Sequence, residues 1–401
     1  MAKAILSINA GSSSVKVTVF KPGKPLVRLA SAQVAGLTAP PRIFTYSRGT
    51  TQKKEDINED IKSPQDAFKY LLEHFLNDPG LQEVATKDDF TYLCHRVVHG
   101  GDFKKEAVIT NETYNYLQAL KDLAPLHNTT SLDIIRTCLH EIPHARTVAY
   151  FDSTFHQTMP DYVKTYPINP EIAKANWLRK YGFHGISYSF ITRSVAEYLK
   201  QPVESTNIIA LHLGSGASVC AIRNGQSIDT SLVFHYTSEA GKLSPESTKD
   251  MHISTAERIL NKQSGWKSLT GTTDFSQIAT AQPPTDNHWL AFEIFLDRIA
   301  GFIGNYFVKL DGRVDALVFA GGIGEKSAIL RAKVVERCRC LGFRVDGEVN
   351  EKGLEGVEED AVVEISGENG EVGGDDGLRR VLVCRTDEEY EMAYSCVNNH
   401  P

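Results

Sequence analysis

Two rhythms of apolar and polar positions run through the chain. Ile5-Leu6-Ser7-Ile8-Asn9-Ala10 and Val15-Lys16-Val17-Thr18-Val19-Phe20 read as strands, and Gly11-Ser12-Ser13-Ser14 joins them, so residues 3–20 predict a hairpin. Far along the chain the design recurs: Ile208-Ile209-Ala210-Leu211-His212-Leu213, a Gly214-Ser215-Gly216 turn, then Ala217-Ser218-Val219-Cys220-Ala221-Ile222. Helical spacing takes over after Ser63-Pro64-Gln65-Asp66, which offers an N-cap, a proline at N1 and an acid in the first turn. Phe68, Leu71, Leu72, Phe75 and Leu76 follow on one face. Further helices are predicted at 187–200 and 287–310. In the second, Trp289, Phe292, Phe295, Ile299, Phe302, Ile303 and Tyr306 mark a face that belongs to a core or a subunit interface.

Buried strands are predicted at 92–98, delivering His95, Arg96 and His99 to one end, and at 148–151, ending at Asp152. Residues 315–320 form another strand, followed by Gly321-Gly322-Ile323-Gly324 and a helix from Ser327. That order of strand, glycine turn and helix start suits an anion or nucleotide. It matches neither a P-loop nor the dinucleotide fingerprint. Residues 346–377, rich in Gly, Glu and Asp, read as a solvated excursion with a short strand at 361–365. A strand at 380–384 and a helix from about Asp387 close the chain.

The twin hairpin turns narrow the chemistry. Glycine tolerates φ > 0 and lets backbone N–H groups come close to a ligand, and oriented N–H groups make an anion-binding concavity. A pair of such turns implies a duplicated α/β fold with a phosphate chain held between its halves. The length, 401 residues, suits two domains. A net charge of −7 argues against a general nucleic-acid binder. No apolar run approaches the roughly 20 residues of a membrane span, and the start of the chain lacks the apolar core of a signal peptide. Seven cysteines without a C-x-x-C pair read as reduced thiols in the cytoplasm.

Polar residues at predicted strand ends complete the set: Asn9, Ser12, Ser14 and Lys16; His95, Arg96 and His99; His127 and Asn128; Asp152 and His156; His184; His212; and Glu388. Any one buried histidine is ordinarily a satisfied core residue. Together they point to a polyanion site with Mg²⁺, for which Asp152 and Glu388 offer hard oxygens. Arg96 adds a planar fork for carboxylate or phosphate. No zinc ligand pattern is present.

Five motifs carry a family resemblance: Ile8-Asn9-Ala10-Gly11-Ser12-Ser13-Ser14-Val15-Lys16, His95-Arg96-Val97-Val98-His99-Gly100-Gly101, Ala124-Pro125-Leu126-His127-Asn128, Phe151-Asp152-Ser153-Thr154-Phe155-His156-Gln157-Thr158-Met159-Pro160 and Tyr181-Gly182-Phe183-His184-Gly185. In order and over nearly the whole chain, they resemble the acetate kinase family. The resemblance implies two related actin-like ATPase (ribonuclease H-like) domains with an interdomain cleft. Residues 1–153, completed by helix 389–401, would form one. Residues 154–388 would form the other, holding nucleotide and a homodimer contact. It implies Mg²⁺ (or Mn²⁺), ATP and acetate as partners, without nucleic acid or membrane.

By that resemblance Asn9 and Glu388 serve the metal. Arg96, Asp152, His184 and His127 act on the moving phosphoryl, and Val98, Leu126 and Phe183, beside Arg96, receive acetate. Lys16, His212, Gly214, Ser215, Gly216 and Ala217 face the phosphates, and Asp274, Phe275, Gly321, Gly322, Ile323 and Gly324 border the adenosine. Acetate is already a nucleophile, so the implied chemistry is in-line attack on a loose phosphoryl group, helped by position and cations.

One departure is large. Where the family continues from Asp229-Thr230-Ser231 into a loop with a Thr-Pro step and a Thr-Arg-Ser-Gly turn, this chain runs straight into Leu232-Val233-Phe234-His235-Tyr236. A second active-site arginine and a proline of the acetate pocket go with that loop. Such an arginine is worth about 10³ to 10⁵ in rate, on the order of 4–7 kcal/mol. Lys242, Lys249 and Arg258 are replacements by charge alone, in or near a polar stretch at 237–250 that reads as a surface loop. Ser215, Ser276 and Lys326 stand where the family more often has Asn, Arg and Asn. Two further readings stay open: a nucleotide-binding chain with impaired catalysis, as from a gene read without one segment, and a kinase for propionate or butyrate. Pyrophosphate remains an alternative donor to ATP.

Overall fold

The computed structural model describes residues 4–11, 13–38, 41–57, 61–120, 125–235, 264–280, 286–357, 360–367 and 379–400. The polar stretch 237–250, the candidate cations Lys242, Lys249 and Arg258, and Ser12 lie outside them. The described residues fall into two compact units. One takes residues up to Thr154 together with those from Asp387 onward, and the other runs from Phe155 to Thr386.

Each unit is built on one mixed sheet. The first unit has β1 Ala4–Ala10, β2 Ser14–Lys21, β3 Val27–Ala35, β4 Ile43–Arg48, β5 Thr51–Asp56, β6 Phe90–Val97, β7 Ala107–Val108 and β8 Arg146–Phe151. Their spatial order is β5-β4-β3-β2-β1-β6-β8-β7. The second has β9 Ile208–Leu213, β10 Gly216–Arg223, β11 Gln226–His235, β12 Ala316–Ala320, β13 Val362–Glu364 and β14 Arg380–Cys384, in the order β11-β10-β9-β12-β14-β13. A common core emerges. β3-β2-β1 and β11-β10-β9 are antiparallel meanders, each followed by two strands parallel to the first: β6 and β8, or β12 and β14. The two-sheet α/β architecture expected from the sequence is therefore the observed one.

Hydrophobic burial explains the layers. Val15, Val17 and Val19 of β2, with Leu6 and Ile8 of β1, pack against Phe68, Leu71, Leu72 and Phe75 of the helix Pro64–Leu76. Ser63 caps that helix, its Oγ accepting the Asp66 N–H, and Pro64 sits in the first turn as the sequence predicts. In the second unit the helix Asn287–Lys309 buries Phe292, Phe295, Ile299, Ile303 and Tyr306 against β9, β10 and β12. Phe302 is only partly buried, and Trp289 stays half-buried outside that cluster. Among the described residues no helix is long and apolar enough to cross a membrane.

Several expectations need correction. Gly11, Gly214 and Gly216 do not use the left-handed region. Instead the Gly11 N–H donates to Ser14 O and the Gly214 N–H to Gly216 O, each at 2.9 Å, so both turns close on their own backbone. Gly321 is the glycine that needs its freedom: φ is +75°, and a Cβ there would lie 2.7 Å from the Leu213 carbonyl oxygen. Gly321–Lys326 is itself a short helix rather than a loop. Ser327 breaks it (ψ 94°) and caps the next helix, Ala328–Arg337, through the Leu330 N–H. Part of the supposed excursion is also helical, Gly347–Lys352, because Asp346 accepts the Val349 N–H as an N-cap. Residues 358–359 and 368–378 of that excursion lie outside the described residues.

The strand 92–98 does not carry all three of its polar residues to one place. Side chains alternate across a sheet, so His95 lies opposite Arg96. It is buried, its Nε2 has no hydrogen-bond partner, and burial pushes its pKa down to about 3. An unfolded histidine titrates near 6.5, so between about pH 6.5 and 3 the unfolded chain holds a proton that the folded chain lacks. Stability then falls as pH drops through that window, by about 1.4 kcal/mol per pH unit from this one group. His95→Leu should flatten the acid limb of a urea-denaturation series between pH 6.5 and 4. An unchanged slope would contradict the assignment.

Candidate active site

The first unit gathers its polar groups where β1, β6 and β8 end. These strands are parallel, with Ile8 beside His95 and Val97 beside Phe151, so their carboxyl ends share one edge. Period-2 alternation puts Asn9 and Arg96 on one face. Asp152, just past β8, comes to the Arg96 fork: Nη2 donates to Oδ2 at 2.7 Å and Nε to the same oxygen at 3.1 Å. Arg96 Nη1 donates to Asn9 Oδ1 at 3.1 Å and lies 3.4 Å from Glu388 Oε2.

Glu388 arrives from the far end of the chain, at the start of the helix Glu388–Asn399, which Asp387 caps. Asn9 Nδ2 donates to Glu388 Oε2 at 2.6 Å and to Glu389 Oε1 at 3.0 Å. Lys16 of β2 pairs with Glu389. The turn after β6 is clamped as well. Asn128 Nδ2 donates to the His99 carbonyl at 2.8 Å, its Oδ1 accepts the His99 N–H at 3.0 Å, and Ser153 Oγ accepts the Gly100 N–H. Val98 lies half-buried in this turn.

Charge here is tightly coupled. Burial alone would lower the Arg96 pKa, but the Asp152 and Glu388 carboxylates outweigh it and hold the guanidinium charged. Burial alone would raise Glu389, but Lys16 and the hydrogen bond from Asn9 keep it below its ordinary value. Asp152, Glu388 and Glu389 face Arg96 and Lys16, so one negative charge is left over. Glu388 Oε1 takes no part in this network. That donor set fits a divalent cation held mainly by water and a ligand's phosphates, as Mg²⁺ prefers. Among the described residues no cluster of three or more His, Cys, Asp or Glu could encase a metal.

The second unit repeats the placement at the carboxyl ends of β9, β12 and β14. His184 caps the helix Gly185–Tyr198 with φ +58°, a left-handed conformation that non-glycine residues adopt at a cost. Its Nδ1 lies 2.8 Å from Ser218 Oγ, and its ring stacks on His212 with centroids 4.2 Å apart. His212 Nδ1 is 2.7 Å from Ser187 Oγ, which in turn meets Thr386 Oγ1. A Cβ on Gly216 would lie 3.2 Å from His184 Nε2, so that edge of the ring faces the Gly214–Ser215–Gly216 turn, beside Ala217. His156, buried and driven down to about pKa 4 chiefly by burial, has Nε2 2.9 Å from the Phe183 carbonyl oxygen and Nδ1 2.8 Å from Ser227 Oγ.

The glycine helix is anchored by the half-buried Glu325 and the buried Arg331. Glu325 Oε1 accepts the Gly321 and Thr386 N–H groups, and Arg331 donates to the Gly324 and Glu325 carbonyls. Gly322 and Ile323 sit between these anchors. Asp274 caps the short helix Phe275–Ala279, and Phe275 stacks on Trp266. Sequence reasoning missed Glu389, Ser218, Tyr188 and Arg331. Glu389 could have been flagged as the second acid of a capped helix start. The others carry no local sign of their role. The side chains of Leu126 and His127 fall outside the described part.

Two units with the same five-strand core, each bearing polar clusters at its strand ends, define a duplicated α/β fold of ligand-binding type. The acetokinase family model matches residues 4–394, and the chain belongs to that family. It is 58% identical to a protein named probable acetate kinase from Emericella nidulans, covering 98% of this chain and 97% of the relative. Among solved structures it resembles a propionate kinase from Francisella tularensis (TM-score 0.78, 30% identity, 97% and 98% of the two chains). It also resembles the Porphyromonas gingivalis acetate kinase (TM-score 0.77, 29% identity, 98% and 99%). The 58% match spans 415 aligned positions, more than the 401 residues of this chain, so the relative carries residues that have no counterpart here.

Removing one partner of a buried pair strands the other charge. Arg96→Ala should therefore cost about 3 kcal/mol in urea denaturation. Adding Asp152→Asn to that variant should recover much of the loss. A double variant no more stable than Arg96→Ala would show that Asp152 is not held by this pairing.

Proposed function

We propose that this protein is an acetate kinase, moving a phosphoryl group reversibly between ATP and acetate. One observation carries the reading: in a chain of the acetokinase family, an arginine fork is held at the strand ends by Asp152, Asn9 and Glu388. Acetate needs no strong base, so the work of the site is to place and neutralise charge. Arg96, pre-aimed by hydrogen bonds from two of its nitrogens to Asp152, would bind the acetate carboxylate and then the equatorial oxygens of the phosphoryl group. Val98, Leu126 and Phe183 would admit a methyl group.

His184 would donate to the phosphoryl group, with His212 stacked behind it and His127 as a further donor. Gly214, Ser215, Gly216 and Ala217 would lie along the phosphates, with Lys16 adding positive charge. Gly321–Gly324, Asp274 and Phe275 would border the adenosine. Glu388, oriented by Asn9, would hold Mg²⁺ or Mn²⁺, which when bound would neutralise phosphate charge. The homodimer and the cytoplasm belong to the same reading. Seven free cysteines among the described residues, six of them buried, support a reducing setting.

The loop absent after Ser231 bears on the rate. Without its arginine, turnover should be lower by about 10³-fold or more than with it. A hydroxamate assay for acetyl phosphate tests both points. The chain as it stands should give slow product, and the same chain with a Thr-Arg-Ser-Gly loop inserted after Ser231 should give far more. No acetyl phosphate from either folded protein would overturn the reading. Propionate is a second acceptor to test, because the chain resembles a propionate kinase structure and the loop takes a pocket proline with it. In a series from acetate to butyrate, kcat/KM should be highest with acetate.

A further inference from the structure

We propose that Tyr188 and Ser218 are positioning residues that fix His184 in the tautomer with its proton on Nε2. The proposal deepens the reading of His184 as a phosphoryl-binding group and rests on that reading for its functional consequence. Its structural part stands on three buried groups in one line. Tyr188 Oη is 2.6 Å from Ser218 Oγ, and Ser218 Oγ is 2.8 Å from His184 Nδ1. Tyr188 is wholly buried and Ser218 nearly so.

The direction of the chain follows from donor and acceptor inventory. Burial holds the Tyr188 phenol in its neutral form, so it carries a hydroxyl hydrogen. The phenol has that hydrogen to place, and among the described residues the acceptor within its reach is Ser218 Oγ. Ser218, having accepted from the phenol, turns its own hydrogen to His184 Nδ1. Nδ1 is then an acceptor, and the neutral ring must carry its proton on Nε2. The reverse order would send a proton from Nδ1 to Ser218 and from Ser218 to Tyr188. That would leave a buried phenol hydrogen without an acceptor, which is costly.

Geometry gives the tautomer its use. His184 Nε2 faces the Gly214–Ser215–Gly216 turn, where a glycine leaves room that a Cβ would crowd at 3.2 Å. An Nε2–H there is a donor aimed at the place where the phosphates would run. Stacking on His212 at 4.2 Å favours an uncharged pair over two imidazolium rings. The left-handed backbone of His184 locks the ring's approach, and the hydroxyl relay locks its proton.

The test is a long-range ¹H–¹⁵N spectrum of histidine-labelled full chain at neutral pH without substrate, with His184 assigned by the His184→Gln variant. The wild type should show an acceptor-type Nδ1 and a protonated Nε2. Ser218→Ala should turn that pattern into a mixture, Tyr188→Phe should shift it less, and Ser218→Thr should restore it. In the loop-restored protein Ser218→Ala should lower kcat about tenfold with the acetate KM unchanged. A protonated Nδ1 in the wild type would overturn the proposal, as would a Ser218→Ala spectrum identical to it. Circular dichroism checks each variant's fold. The spectrum is read without turnover, so failure of the acetate kinase reading would show separately, as absence of acetyl phosphate from the wild type.

Discussion

A charged guanidinium that is four-fifths buried sets the terms for the first unit. Arg96 loses most of its hydration in the fold, and that loss is tolerable only because Asp152 meets two of its nitrogens while Asn9 and Glu388 take a third. Arg96 stands on β6, and its partners come from β1, the end of β8 and the last helix. Satisfying one side chain therefore pins four segments of the chain together. The same bonds leave the fork rigid, and rigidity is what an anion-binding group needs if it is to act without reorganising.

The second unit reaches a comparable end by different means. Its described strand ends carry two stacked histidines, tied through hydroxyls of Ser187, Ser218 and Thr386. Duplication of the meander-plus-two-parallel-strands core explains why both clusters lie at carboxyl ends of strands. That edge is where parallel strands stop together and loops begin.

Much of this was legible because its causes are local. The twin hairpins, the Ser63-Pro64 helix start and the strands ending at Arg96 and Asp152 follow from period and capping, which a sequence displays directly. The family resemblance carried most of the candidate site. Other features depended on pairings across hundreds of residues. Nothing near Asn9 signals that Glu389 will share its amide with Glu388, and nothing near Tyr188 separates it from an ordinary core aromatic of its helix. Positive φ is used at neither Gly214 nor Gly216; at Gly216 it is small size, beside the His184 ring, that matters. His95 was read with Arg96 although alternation sends it to the opposite face. The helix Gly347–Lys352 was hidden by an acidic, glycine-rich composition that Asp346 turns into a cap.

The claim on which the rest depends is that Arg96 acts as a fixed planar fork and not merely as a positive charge. Calorimetric titration of acetyl phosphate into wild-type protein and into Arg96→Lys separates the two, because lysine keeps the charge and loses the fork. The account expects binding to weaken by about tenfold or more in Arg96→Lys while the protein stays folded. Equal affinities would contradict it.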